Sequence, residues 1–409
     1  MGECDRPAVL RRGRFLVAGL AMAAGVTACQ PVMGRSDEQA GRDRKVAWSA
    51  PAFPLEVRVT PADAALAVEP AQRVAVTASG GRLTDVRVVA DTGTPVPGAL
   101  SADGTLWTAK VGLAFGTTYA VVVDAVDGKA ASKRVVSSFT TAKPRRLAFP
   151  SVAPLSGETV GVGMPVLVYW DRPVTDRAAA ERRLVVTASK PVVGSWHWLS
   201  DTEVHYRPKV YWPAYTRVTV DLNVGGVNLG NDVYGKANRR ISFTVGSSVI
   251  STVSDASKSM TVVKDGRTLR VMPVSLGKGS TPTASGTHLV MEKFRQKMFD
   301  SASFGLSRES ADGYYLKVYW ATRFTGGGQF VHAAPWSVSA QGRRNVSHGC
   351  VNVSTANGQW YHQLSKRGDV VTVTGTGRHV NRGDGWTDWN LSWADYVKGS
   401  ALELKSADR

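Results

Sequence analysis

Between Leu55 and Val245, apolar residues recur at every second position in short runs, among them Leu55-Glu56-Val57-Arg58-Val59, Val74-Ala75-Val76-Thr77 and Val86-Arg87-Val88-Val89. Successive side chains of a strand point to opposite faces, so such runs describe half-buried strands. They come about every ten residues, separated by Gly, Pro, Asp or Asn, with almost no helical periodicity, which selects a β-sandwich. The pattern then repeats weakly. Phe115–Asp124 corresponds to Tyr211–Asp221, and Ser138-Phe139-Thr140 to Ser242-Phe243-Thr244, at offsets of 96 and 104 residues. That is one immunoglobulin-sized domain. Two sandwiches are therefore expected, over residues 51–143 and 144–247, joined near Thr141–Arg146. Tyr119 and Tyr215 stand at strand starts and fit tyrosine corners, in which the hydroxyl bonds the backbone. Without cysteines, both sandwiches rest on packing alone, and their expected job is to space and orient the C-terminal half of the chain.

After Gly246 the texture changes. Ser259–Val271 reads as a hairpin turning at Asp265-Gly266, and Val370–Val373 as a strand after Gly368-Asp369. Met298–Gly313 is too polar for core and is expected to be a mobile flap. Trp386, Trp389 and Trp393, three and four apart, form a packing stripe, so the tail is expected to clamp onto the domain before it. The chain is thus mainly β: the two immunoglobulin-like sandwiches, a further domain at 248–376, and a short Trp-rich C-terminal subdomain at 377–409.

At the other end, Arg11, Arg12 and Arg14 precede an apolar stretch from Phe15 to Val26, as in a signal peptide. Val26-Thr27-Ala28-Cys29 resembles a bacterial lipobox, which implies a signal peptide over 1–28, lipidation at Cys29 and a polar tether over 29–50. Two acyl chains on one residue anchor stably to a membrane. Ordinary secretion with cleavage after Ala28, or a short uncleaved anchor, is the alternative. The expected location is the extracytoplasmic face of the cell membrane. No later apolar run reaches the roughly 18 residues of a membrane span. The formal net charge of +17 falls to +15 once residues 1–28 are removed. In an exported chain that charge faces cell-wall phosphodiesters, lipid headgroups or peptide carboxylates rather than nucleic acid.

The chain has three cysteines, Cys4, Cys29 and Cys350. With the first lost and the second lipidated, Cys350 has no disulfide partner in an oxidising compartment, so it is either inert or used. It lies in Ser347-His348-Gly349-Cys350-Val351-Asn352, with Phe330-Val331-His332-Ala333-Ala334-Pro335-Trp336 upstream. A nucleophilic thiol needs a base, oxyanion donors and room for a carbonyl, and an adjacent His-Gly with a second histidine supplies the elements of that chemistry. A zinc site of His332, His348 and Cys350 is the competing reading, and a buried structural cysteine the bland one.

His332, fourteen intervening residues and Ser347–Asn352 together resemble the L,D-transpeptidase signature, and the lipobox, two immunoglobulin-like domains and Trp-rich tail extend the resemblance over nearly the whole chain. The resemblance implies a catalytic β-sandwich at 248–376, no cofactor, and peptidoglycan tetrapeptide stems as substrate. Cys350 would attack the carbonyl between the L-centre of meso-diaminopimelate and the terminal D-Ala. A second stem's amine would then resolve the thioester, giving a 3→3 cross-link. His332 would hold Cys350 as a thiolate–imidazolium pair. Backbone N–H groups of Gly349 and Cys350 with the Tyr314 hydroxyl would form the oxyanion hole. His348 would shape the turn, Asn352 would bind the donor stem, and Gly327 and Gly328 would lie along it. Carbapenem β-lactams would acylate Cys350. Many relatives carry a polar residue after the catalytic histidine; Ala333 cannot orient His332 through a side chain, so a backbone carbonyl must fix its tautomer. The same thioester serves an L,D-carboxypeptidase or an enzyme linking proteins to the wall, and a non-catalytic wall-binding lipoprotein is the alternative of another class. Asn228, Asn231 and Asp232 form a weak calcium candidate, with a solvated turn as the stronger reading.

Overall fold

The structure is a computed structural model that describes residues 54–305 and 307–403. Cys4, Cys29 and the expected signal peptide and tether lie outside these residues. Among the described residues no helix is long and apolar enough to cross a membrane.

The first sandwich packs two four-stranded sheets face to face. One runs in the order Glu56–Thr60, Ala75–Ser79, Leu106–Ala109, Gly98–Leu100; the other Ala65–Val68, Ser132–Thr141, Thr118–Asp127, Gly81–Ala90. Alternation along Thr118–Asp127 sends Tyr119, Val121, Val123 and Ala125 inward, onto Val76, Trp107 and Phe139. Tyr119 makes a tyrosine corner: its hydroxyl accepts the Ala114 N–H at 2.8 Å. The second sandwich pairs Pro150–Ala153, Val166–Trp170, Glu203–Pro208 and Gly194–Ser200 against Thr159–Val160, Arg239–Val245, Arg217–Leu222 and Leu184–Ala188. Tyr215 departs from the expected corner. It is 62% exposed, has a φ of 61°, and its hydroxyl donates to Asp265 of the following domain at 2.7 Å. The repeat is one of pattern, and this position has been given over to a contact between domains.

In the third domain, a five-stranded sheet runs Arg267–Pro273, Ser259–Lys264, Val249–Ser254, Val370–Thr374, Gly286–Leu289. A four-stranded sheet runs Glu292–Asp300, Tyr315–Arg323, Phe330–Ala333, Val351–Val353. The hairpin turns at Asp265-Gly266, with φ of 49° and 80°, the positive pair that a two-residue turn of this hand requires. Ser354 caps helix Thr355–Leu364 by accepting the Asn357 N–H at 3.3 Å. Val331, Val351, Val353 and Tyr361 are fully buried with Val249, Met260 and Val371. The polar stretch expected to begin a flap at Met298 instead finishes the strand Glu292–Asp300. Asp300 then accepts the Ala302 N–H and pairs with both Nε and Nη2 of Arg308.

The tail departs most from expectation. Rather than clamping solely onto the domain before it, it crosses back to the second sandwich, whose core takes in Trp386 and Trp389. His205 sits between Asp388 and Glu203, and Arg207 stacks on Trp389 and Tyr396 at 4.5 and 4.2 Å. The His197 Nδ1–H donates to the Tyr396 carbonyl at 2.6 Å. Asn390 exchanges bonds with both the N–H and the carbonyl of Thr287, in the third domain, at 2.8 and 2.7 Å. Polar groups on the outer face of the second sandwich thus recruit the tail as a strap over two domains.

Candidate active site

The strands Phe330–Ala333 and Val351–Val353 run parallel, with Val331 opposite Val351 and His332 opposite Asn352. Because side chains alternate, the valines enter the core while His332 and Asn352 face the other way. Cys350 precedes the strand by one residue, on the His332 side. Register therefore places the thiol diagonally across from the imidazole, and both line a cavity of about 270 Å³ with Tyr314, His348 and Asn352. Its remaining walls are chiefly apolar, including Phe299, Leu316, Val318 and Trp336.

The turn before the strand is held by Ser347. Its hydroxyl donates to the Cys350 carbonyl at 2.6 Å and accepts the Gly349 N–H at 3.1 Å. Gly349 has a φ of 124°, a conformation that disfavours any side chain, and a Cβ there would meet Gln329 Nε2 at 3.0 Å. The Gly349 N–H, expected in an oxyanion hole, is thus engaged within the turn. Gly349 is itself buried, so its N–H must find an internal partner.

His332 is 3% exposed, edge-on to Phe299 with ring centres 5.2 Å apart. Its Nδ1–H donates to the Ala333 carbonyl at 2.9 Å, leaving Nε2 as the unprotonated nitrogen. The backbone carbonyl does the orienting that the Ala333 side chain cannot. Burial disfavours the imidazolium and pushes the pKa of His332 down to about 4, against the Ala333 hydrogen bond. Burial likewise pushes the Cys350 thiol up to about 12, against a backbone hydrogen bond with Phe330. Desolvation thus opposes the charged form of both partners, most firmly for His332, because Cys350 itself is only partly buried.

The other expected residues fall in three groups. Tyr314 and His348 lie ring against ring at 5.1 Å. Burial raises the Tyr314 phenol, so its hydroxyl remains a donor. His348 Nε2 is 3.6 Å from Asp312 Oδ1, which also binds Lys278. Asn352 gives its Nδ2–H to Ser337 at 3.1 Å, while its Oδ1 is buried without a partner among the described residues. Gly327 and Gly328 line a second cavity that meets the first at Tyr314, His348 and Cys350. Asn228, Asn231 and Asp232 lie in the second sandwich, on an exposed turn where Asn228 Oδ1 accepts the Gly230 N–H at 2.9 Å. Among the described residues, no group of three or more His, Cys, Asp or Glu side chains could hold a metal.

Sequence reasoning missed Gln329 and Arg378. Gln329 is a polar residue directly before the strand Phe330–Ala333, and no motif marks it. Arg378 reaches the site from the tail, and no local pattern marks it.

A model of a bacterial Ig domain matches residues 65–228, across the joint between the sandwiches, and one of an L,D-transpeptidase catalytic domain matches residues 248–373. L,D-transpeptidase 2 of Mycobacterium tuberculosis is 41% identical over 341 residues, 83% of this chain and 83% of its own length. L,D-transpeptidase 5 of the same organism is 35% identical over 379 residues, 90% of this chain and 82% of its own. A solved LD transpeptidase in complex with imipenem is 38% identical over 55% of this chain and 97% of its own, with a TM-score of 0.49.

Proposed function

The chain belongs to the L,D-transpeptidase family of acyltransferases, and we propose that it joins peptidoglycan stems by 3→3 cross-links through a thioester on Cys350. The observation that carries this reading is the diagonal placement of Cys350 and His332 across one parallel strand pair, both open to a single cavity.

As Sγ attacks the carbonyl before the terminal D-Ala, His332 Nε2 takes the thiol proton. The Cys350 N–H and the Tyr314 hydroxyl receive the developing oxyanion. The C–N bond breaks, His332 returns the proton to the departing amine, and D-Ala leaves. A side-chain amine of a second stem then attacks the thioester. It gives its proton to His332, which passes it to the departing sulfur. Desolvation opposes charge on either partner, so fixed donors are worth most at the moment the oxyanion develops. The orphaned Asn352 Oδ1 is placed to accept an N–H of bound substrate.

The same thiol would be acylated by carbapenems, as the complex of a relative with imipenem suggests. Lipidation at Cys29 would hold the enzyme at the outer membrane face, with the sandwiches as a spacer; Cys29→Ala should release it from membranes into the medium. The test of the reaction is mass analysis of products from purified disaccharide tetrapeptides. Dimers joined between two diaminopimelate residues, lost in Cys350→Ala, are expected. Trimmed tripeptides without dimers would instead assign a carboxypeptidase.

A further inference from the structure

The second cavity, also about 270 Å³, lies on the other side of Cys350 and differs in chemistry. Thr281, Ser301, Gln329 and Arg378 stand where the first cavity has Phe299, Leu316, Val318 and Trp336. His332 lines the first cavity and not the second. Since His332 hands a proton to the leaving amine, the departing D-Ala and the incoming amine belong on the apolar side. The acyl part of the donor stem then falls on the polar side.

Two side chains there present donors that no group among the described residues accepts from. Gln329 is only 8% exposed. Its Oε1 accepts the Ala284 N–H at 3.1 Å, which fixes the amide orientation and turns Nε2 towards the Gly349–Cys350 turn. No group among the described residues accepts from that Nε2. Arg378 is held by its own carbonyl, which accepts the Ser285 N–H at 2.7 Å. Arg378 is exposed, and its guanidinium, without a partner among the described residues, lines the same cavity. The Gln329 Nε2 is not sealed in the interior but opens onto the cavity, where a ligand can accept from it. A neighbouring guanidinium adds the forked donors that suit a carboxylate. Asp384, which accepts the Gly327 N–H, does not line the cavity.

We propose that Gln329 and Arg378 form a subsite that binds a free carboxylate of the acyl-donor stem and discriminates against its amide. The inference rests on the acyl-transfer reading above and deepens it. Two positions on a stem carry this chemistry, the D-centre of the third residue and the α-carboxylate of the second. Synthetic tetrapeptides with acid or carboxamide at each position distinguish them, with D-Ala release by the full-length protein as the readout. Wild type should show a lower KM for the acid than for the amide at one position. The expected difference is roughly tenfold to a hundredfold, the scale of one charge-assisted hydrogen bond. Arg378→Gln should raise KM for the acid to that of the amide and leave kcat unchanged. Gln329→Glu keeps an acceptor for Ala284 but replaces the donor with an anion, and should reverse the preference. Equal KM for acid and amide at both positions in wild type overturns the subsite, as does an acid-to-amide ratio unchanged in both variants. Absence of D-Ala release from every stem by wild type overturns the acyl-transfer reading, and the subsite with it.

Discussion

Replacing His205 with Gln would unseat the C-terminal strap from the second sandwich, and the structure sets the size and the pH dependence of the effect. His205 Nδ1 is 2.9 Å from Asp388 Oδ1, Nε2 is 2.8 Å from Glu203 Oε1, and the ring is 2% exposed. Burial works against the imidazolium, but Asp388 and Glu203 outweigh it and hold the pKa up at about 9. An unfolded histidine titrates near pH ~6.5, so the folded chain keeps a proton that the unfolded chain gives up. That contribution is complete below about pH 6.5 and is lost as pH rises through about 9, a fall of about 3 kcal/mol. Asp369, raised to about 7 by burial, is half ionised at the lower edge of a window from pH 7 to 9.5 and has only about 0.4 kcal/mol left to contribute above it, which leaves His205 dominant. In calorimetric unfolding, wild type should lose roughly 6–12 °C across this window. His205→Gln should start about 3–5 kcal/mol less stable at pH 7, because Asp388 is left buried and unpaired. Its curve should then fall by only about 1 kcal/mol, chiefly above pH ~8.5, where the unfolded Cys350 thiol gives up a proton that the folded one keeps. Parallel curves for the two proteins would refute the assignment of a charged histidine to this junction.

Other consequences concern Cys350 and its surroundings. Alkylation of Cys350 by iodoacetamide should show no midpoint near pH ~8.5, where an exposed thiol ionises, because burial holds the thiol up at about 12; a midpoint near neutrality would restore the thiolate–imidazolium pair. Carbapenem acylation should stay level through neutral pH and fall only as His332 gains a proton near pH 4, so loss of rate with a midpoint near 6.5 would contradict its burial. Gly349→Ala should slow acylation by roughly a hundredfold or more, since a Cβ strains the turn and presses on Gln329; stopped-flow quenching reads this directly. Ser347→Ala removes both bonds that tie the Cys350 turn and should lower unfolding stability by about 1–3 kcal/mol. A value indistinguishable from wild type would show that the turn holds without them.

Much of this molecule is written locally in the chain. Period-two runs located the sandwich strands, Asp265-Gly266 located a hairpin turn, and the spacing of His332 and Cys350 anticipated two side chains facing one cavity. Local pattern failed where long-range contact decides. Tyr215 repeats Tyr119 in sequence, but its hydroxyl goes to Asp265 of another domain. The tryptophan stripe signalled packing without saying against what; His205 and Arg207, far away in sequence, settle that. The lowered pKa of His332 comes from burial against Phe299 and its neighbours, a property of packing rather than of spacing. Arg378 enters the site from the tail for the same reason.

Cross-linking through a thioester on Cys350 is tested most directly by quenching the enzyme during turnover of a tetrapeptide stem, measuring intact mass and mapping the modified peptide. The expected result is an added mass of the stem less D-Ala, carried by Cys350, absent from Cys350→Ala, and discharged into a dimer when a second stem is added. An unmodified Cys350 during active turnover, or an acyl group on any other residue, would contradict it.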